Sequence, residues 1–198
     1  MSSRAWSLRT ACTVTVALAA FTGGVVGATE AGRERAQQSP KAAASFREMK
    51  WEELVPKGWD PTKGFRARSS GIASDWDPRA RALLKEFRVV LDNAPTIETL
   101  DGASVKLPGY VVPLETVSGE LKEFLLVPYF GACIHTPPPP ANQVVFVRMD
   151  KAAAGFHTMD TVWVSGILHA SRQETFAGNS GYLIDASAVE RYVGEPRY

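Results

Sequence analysis

A thiol and an imidazole stand two residues apart at Cys133 and His135, after Gly131 and before the four prolines Pro137, Pro138, Pro139 and Pro140. In an extended segment, alternation turns Ile134 to one face and both Cys133 and His135 to the other. Thiolate and imidazole are the donors that zinc and copper(I) select, so the pair is the start of a transition-metal site, with zinc favoured. The prolines have φ held near −65° and no amide hydrogens. They make a stiff rod that cannot enter a sheet interior, and Asn142 closes it with a turn-forming amide.

Two ligands do not complete a site: structural zinc takes four, and catalytic zinc takes three plus water. The other imidazoles are His157 and His169, and Asp160 and Glu115 are candidate carboxylates. His169 reaches the Cys133 loop if the strand before it neighbours the loop's strands, whereas His157, in a glycine-bearing loop, reads as a surface residue. Two further readings of Cys133 stay open. It is a buried small hydrophobe, with His135 pinning the loop through a carbonyl and Asn142 capping the next strand, or it is a reactive thiol. A Cys/His catalytic dyad fits poorly, because side chains at i and i+2 of one strand face sit roughly 6–7 Å apart. The chain has no Gly-x-Ser-x-Gly, no His-Glu-x-x-His and no phosphate-binding glycine loop, which disfavours the common enzyme classes.

The compartment follows from the first 28 residues. Arg4 and Arg9 precede a small-residue apolar run, Thr10 to Val26, and Val26-Gly27-Ala28 offers a cleavage site, so residues 1–28 read as a signal peptide and the protein as periplasmic, with an uncleaved single-span anchor as the alternative. No stable membrane span is expected after cleavage. Removal lowers Lys+Arg from 22 to 20 against 21 acids, for a net of −1, and leaves Cys133 as the single cysteine, unable to form an internal disulfide. The whole chain carries +1; this balance gives no electrostatic case for nucleic acid or for an anionic membrane surface.

Residues 29–44 are poor in large apolar side chains and read as a flexible leader. Ser45-Phe-Arg-Glu48 has the form of a capping box, so a short helix is expected there. Trp51 and Trp59 read as an apolar clasp on the main domain, or as a docking face. Residues 62–74 look like loop. Asp77 and Pro78 then open an amphipathic helix with Ala80, Leu83, Leu84, Phe87, Val90 and Leu91 on its core side, ending at Asp92-Asn93. After this 45–95 helical segment, residues 96–198 carry five short apolar runs: Val105–Leu114, Leu121–Pro128, Val144–Met149, Thr161–Leu168 and Gly181–Val189. Asp101-Gly102 and Ser118-Gly119 supply turn chemistry, and Pro108, Pro113 and Pro128 belong at edges, bulges or strand ends. The expected fold is α+β: a small antiparallel OB-like β-barrel or sandwich of about five strands, with the amphipathic helix and the short N-terminal helix packed outside.

Gly109-Tyr-Val-Val-Pro-Leu114, Glu123 to His135 with the proline run to Asn142-Gln143, and Val162-Trp-Val-Ser-Gly166 together resemble the DUF3299 family of exported bacterial proteins over roughly residues 50–195. Cys133 and His135 match that family's Cys-x-His; no family role is carried onto His169. The resemblance implies a periplasmic protein or lipoprotein, in some cases encoded beside ABC-transporter components and linked to zinc supply. The residues and the resemblance together leave two expected functions. One is a periplasmic accessory protein that handles zinc through Cys133 and His135, with His169 as a further candidate ligand, beside an envelope ABC transporter. The other is a non-enzymatic module that docks on an envelope or other periplasmic partner through Tyr129, Phe130, Pro137–Pro140 and Asn142, with Cys133 structural. Nucleic acid is not an expected partner.

Overall fold

The computed structural model of the chain describes residues 45–72, 74, 76–132 and 139–192. The expected signal peptide and leader, and Cys133, His135, Pro137 and Pro138, lie outside the described residues.

The five expected runs are the five staves of a closed barrel. They are β2 (Ala103–Val117), β3 (Glu120–Val127), β4 (Val145–Ala153), β5 (Thr161–His169) and β8 (Tyr182–Arg191). The order is β2-β3-β4-β8-β5 and back to β2. The β4–β8 pair is parallel and the other four are antiparallel. This Greek-key closure decides between the expected barrel and sandwich in favour of the OB-like barrel. Ser118 and Gly119 both take positive φ, 54° and 83°, which matches the twist of a tight β2–β3 hairpin.

Alternation sorts the side chains of the staves. Val105, Leu107, Val111, Phe124, Leu126, Val145, Val147, Val162, Val164 and Ile184 share one fully buried cluster inside the barrel. Their neighbours Tyr110, Val112, Leu125, Val127 and Val144 form a second cluster on the outer face of β2, β3 and β4. Gly166 sits at a register shift where a Cβ would lie 2.3 Å from the Asp185 carbonyl oxygen, so only glycine lets β5 and β8 approach there.

Each proline falls where a missing donor costs least. Pro113 is at a bulge and Pro128 follows the end of β3. Pro108 lies in the stretch of β2 that neither β3 nor the two-residue β1 (Arg47–Glu48) pairs with, and its carbonyl accepts the Trp51 indole N–H at 2.7 Å. Trp51 is 1 % exposed, so its half of the expected clasp is a plug on the barrel; Trp59 is half-buried.

Two helical expectations change. The Ser45 capping box does not start a helix. The chain runs as β1 there and then makes a 3-10 turn at Trp51–Leu54, where Glu53 accepts from the Lys50 amide at 2.8 Å. Pairing with β2 gives those amides a better partner than a lone turn does. The amphipathic helix α1 (Pro78–Asp92) has the expected ends, with Asp77 as N-cap. Of its apolar face, however, only Ala80 and Leu91 are buried, while Leu84 is 61 % exposed. A short hairpin, β6 (Gln173–Thr175) and β7 (Gly178–Ser180), lies between β5 and β8.

Candidate functional site

The connection from Pro128 to Val144 is the long excursion of the barrel. It leaves β3 and enters β4 at neighbouring rungs, since Leu126 pairs with Val145. Compact loops with close ends are frequent carriers of function, and long connections without regular structure are uncommon otherwise. Both of its arms are fixed. On the first arm Pro128 stops the ladder, Gly131 turns with φ of 81°, and the Gly131 amide donates to Met159 Sδ at 3.3 Å. Met159, itself at φ 66°, donates its own amide to the Val111 carbonyl at 2.7 Å. Ala132 is fully buried in the outer apolar cluster, against which Tyr129 packs half-buried. Phe130 is 67 % exposed and meets Tyr110 edge to face, 5.9 Å between ring centres.

On the second arm Pro139 is buried and Pro140 half-buried, in extended geometry at φ −58° and ψ 149°. A 3-10 turn, Ala141–Gln143, follows. Asn142 is fully buried, and its side-chain amide donates to the Pro95 carbonyl at 3.0 Å. The Ala141 carbonyl accepts the Gly181 amide at 2.6 Å. Asn142 thus ties the residues after Pro140 to the segment after α1 rather than capping β4 with its side chain. Asn142 Oδ1 and Ser180 Oγ are buried at this base with no hydrogen-bond partner among the described residues. A polar group left so has a cost that a nearby donor would remove.

His169 ends β5, whose neighbours are β2 and β8; β8 stands between it and β4. Its ring lies between two carboxylates, Nδ1 3.5 Å from Asp101 Oδ1 and Nε2 3.4 Å from Asp185 Oδ2. Arg148 holds Asp185 Oδ1 through two nitrogens at 2.9 and 2.7 Å. These four line an open hollow of about 360 Å³. They come from separate strands and the Asp101 turn, so no spacing in the sequence signals the group. His157 is an exposed surface residue, 3.7 Å from Asp160 Oδ2, and Glu115 is exposed on β2. Among the described residues no three His, Cys, Asp or Glu side chains are placed to share a metal ion. Met159 was not foreseen; a positive φ at a non-glycine residue has no signature in composition.

A model of the family described as "protein of unknown function (DUF3299)" matches residues 51–191. The crystal structure of a DUF3299 family protein from Pseudomonas aeruginosa is similar to the chain. The two are 35 % identical, with a TM-score of 0.58, over 76 % of this chain and 99 % of that one. No curated protein matches.

Proposed function

The chain belongs to the DUF3299 family, and from the anchored β3–β4 connection we propose that it is a periplasmic accessory protein that takes up a transition metal, zinc by preference, on Cys133 and His135 and passes it to an envelope transporter. The observation that carries this reading is the fixing of both arms. Ala132 is fully buried on one side and Asn142 on the other, so the stretch of sequence with the thiol and the imidazole runs between two buried residues. Pre-fixed ends lower the ordering cost of binding. Two protein ligands leave two positions of a tetrahedral ion for water or for a partner's side chains. That is what a relay needs, because cargo held by four protein ligands leaves slowly.

The test is zinc titration of the full chain, followed by native mass spectrometry. One zinc per chain is expected, bound with loss of the thiol proton. Cys133→Ser should abolish the complex and His135→Ala should weaken it. Equal uptake by Cys133→Ser, or none by the parent, overturns the reading.

Phe130 supports a second reading. An aromatic ring 67 % exposed at the start of the β3–β4 connection is a ready anchor for a protein partner. In that case the chain docks on an envelope protein and Cys133 is packed. Docking that is indifferent to zinc and lost in Phe130→Ala would select this reading over the first.

A further inference from the structure

Helix α1 presents apolar side chains that nothing in the barrel covers. Trp76, just before its N-cap, is 85 % exposed and Leu84 is 61 % exposed. Leu83 and Phe87 are half-buried, sheltered on one side by Phe65, whose ring meets Phe87 edge to face at 5.0 Å. Between the helix and the Phe65 turn lies an open apolar hollow of about 450 Å³. Contiguous apolar surface of this kind marks a protein or a membrane contact, and the charges around it choose between them.

Arg81 and Arg88 stand three residues before and four after Leu84, hence beside it on the helix surface, and Lys85 follows on the same flank. Among the described residues Arg81 reaches only the Trp76 carbonyl, at 3.4 Å. Neither Arg81 nor Lys85 forms an ion pair among the described residues, whereas Arg88 holds Asp92 at 3.1 Å. Between positions 57 and 92 the sequence has eight Lys and Arg against five Asp and Glu, while the whole chain nets only +1. The near-neutral total therefore hides a cationic lobe offset by an acidic remainder. An apolar stripe, a tryptophan at its edge and unpaired cations along its flank are the marks of a helix lying in a bilayer interface. No helix of the described residues is long and apolar enough to cross a membrane.

We propose that Trp76 and the Leu84–Phe87 face of α1 form a docking surface for an anionic lipid bilayer, with Arg81 and Lys85 meeting the lipid phosphates. The full chain is mixed with vesicles rich in phosphatidylglycerol or made of phosphatidylcholine alone, each with brominated acyl chains. Quenching present in the parent and missing in Trp76→Phe reports the helix itself, whatever the N-terminal run does. Trp76-dependent quenching is expected on the anionic vesicles and much less on the neutral ones. It should fall with added salt, which shortens the screening length. Leu84→Glu is expected to reduce helix-reported binding by roughly tenfold, and Arg81→Glu with Lys85→Glu to remove the preference for anionic lipid. These side chains are exposed, so unchanged thermal melts should accompany the losses. Three results each overturn the proposal: no Trp76-dependent quenching, equal quenching on neutral lipid, or self-association in solution that Leu84→Glu abolishes. The last would make a second copy of the chain the occupant.

Discussion

The barrel and helix α1 are both written in periodic patterns of apolar and polar residues, yet they use them differently. In the barrel, Val105, Phe124, Val147 and Ile184 are fully buried because the sheet closes on itself and every inward position meets another. On α1, residues at helical spacing converge on one face, but among the described residues that face is covered only in part, and Leu84 remains 61 % exposed. Periodicity states which residues share a side. Whether that side is an interior depends on a second surface arriving to meet it.

The sharpest way to break this contrast is to remove one side chain from each region. Phe124→Ala should cost about 3–5 kcal/mol, since the barrel interior cannot collapse around the lost ring. Urea denaturation measures it, and a cost below about 1 kcal/mol would mean that the interior is not one cooperative core.

Tyr182 is fully buried at the start of β8. Its hydroxyl accepts the Ile97 amide at 2.7 Å and donates to the Leu54 carbonyl at 2.9 Å, joining β8 to the segments that flank the barrel. Tyr182→Phe leaves those groups unpaired and should cost about 1–3 kcal/mol. Burial pushes this phenol above its ordinary 10.0, against the opposing hydrogen bond from Ile97. The unfolded chain therefore loses its proton first, and stability should decline as pH rises past about 10. Tyr182→Phe should remove that part of the decline. Chemical denaturation across alkaline pH checks it, and identical slopes in the two proteins would refute it.

The smallest effect sharpens the contrast from the other side. Leu84→Ala should change stability by no more than about 0.5 kcal/mol, because an exposed leucine has little burial to lose and alanine favours helix. A loss near that of Phe124→Ala would show that α1 is covered after all.

Much of this architecture was legible before any coordinates. The five runs became five staves within a few residues of their expected ends. Pro78 and Asn93 bounded α1, and Ser118-Gly119 made the expected turn. These features rest on local physics: steric limits on φ, missing amide donors and side-chain alternation. The Ser45 capping box failed because a pairing partner, Lys106 against Glu48, lay far away in the chain. At the loop, the chemistry of Cys133 and His135 was readable from residue type, while the anchoring of its arms by Met159, Pro95 and Gly181 was not. Nor was the grouping of His169 with Asp101, Arg148 and Asp185.

By itself the sequence determined which backbone segments extend, where they turn, and which donor atoms stand two residues apart, because each depends on a few adjacent residues. Only the tertiary structure decided that β5 is walled from β4 by β8, and that one apolar face is an interior while another is a surface. Those outcomes depend on which distant strands share hydrogen bonds, and such a choice is made by closing the whole sheet at once.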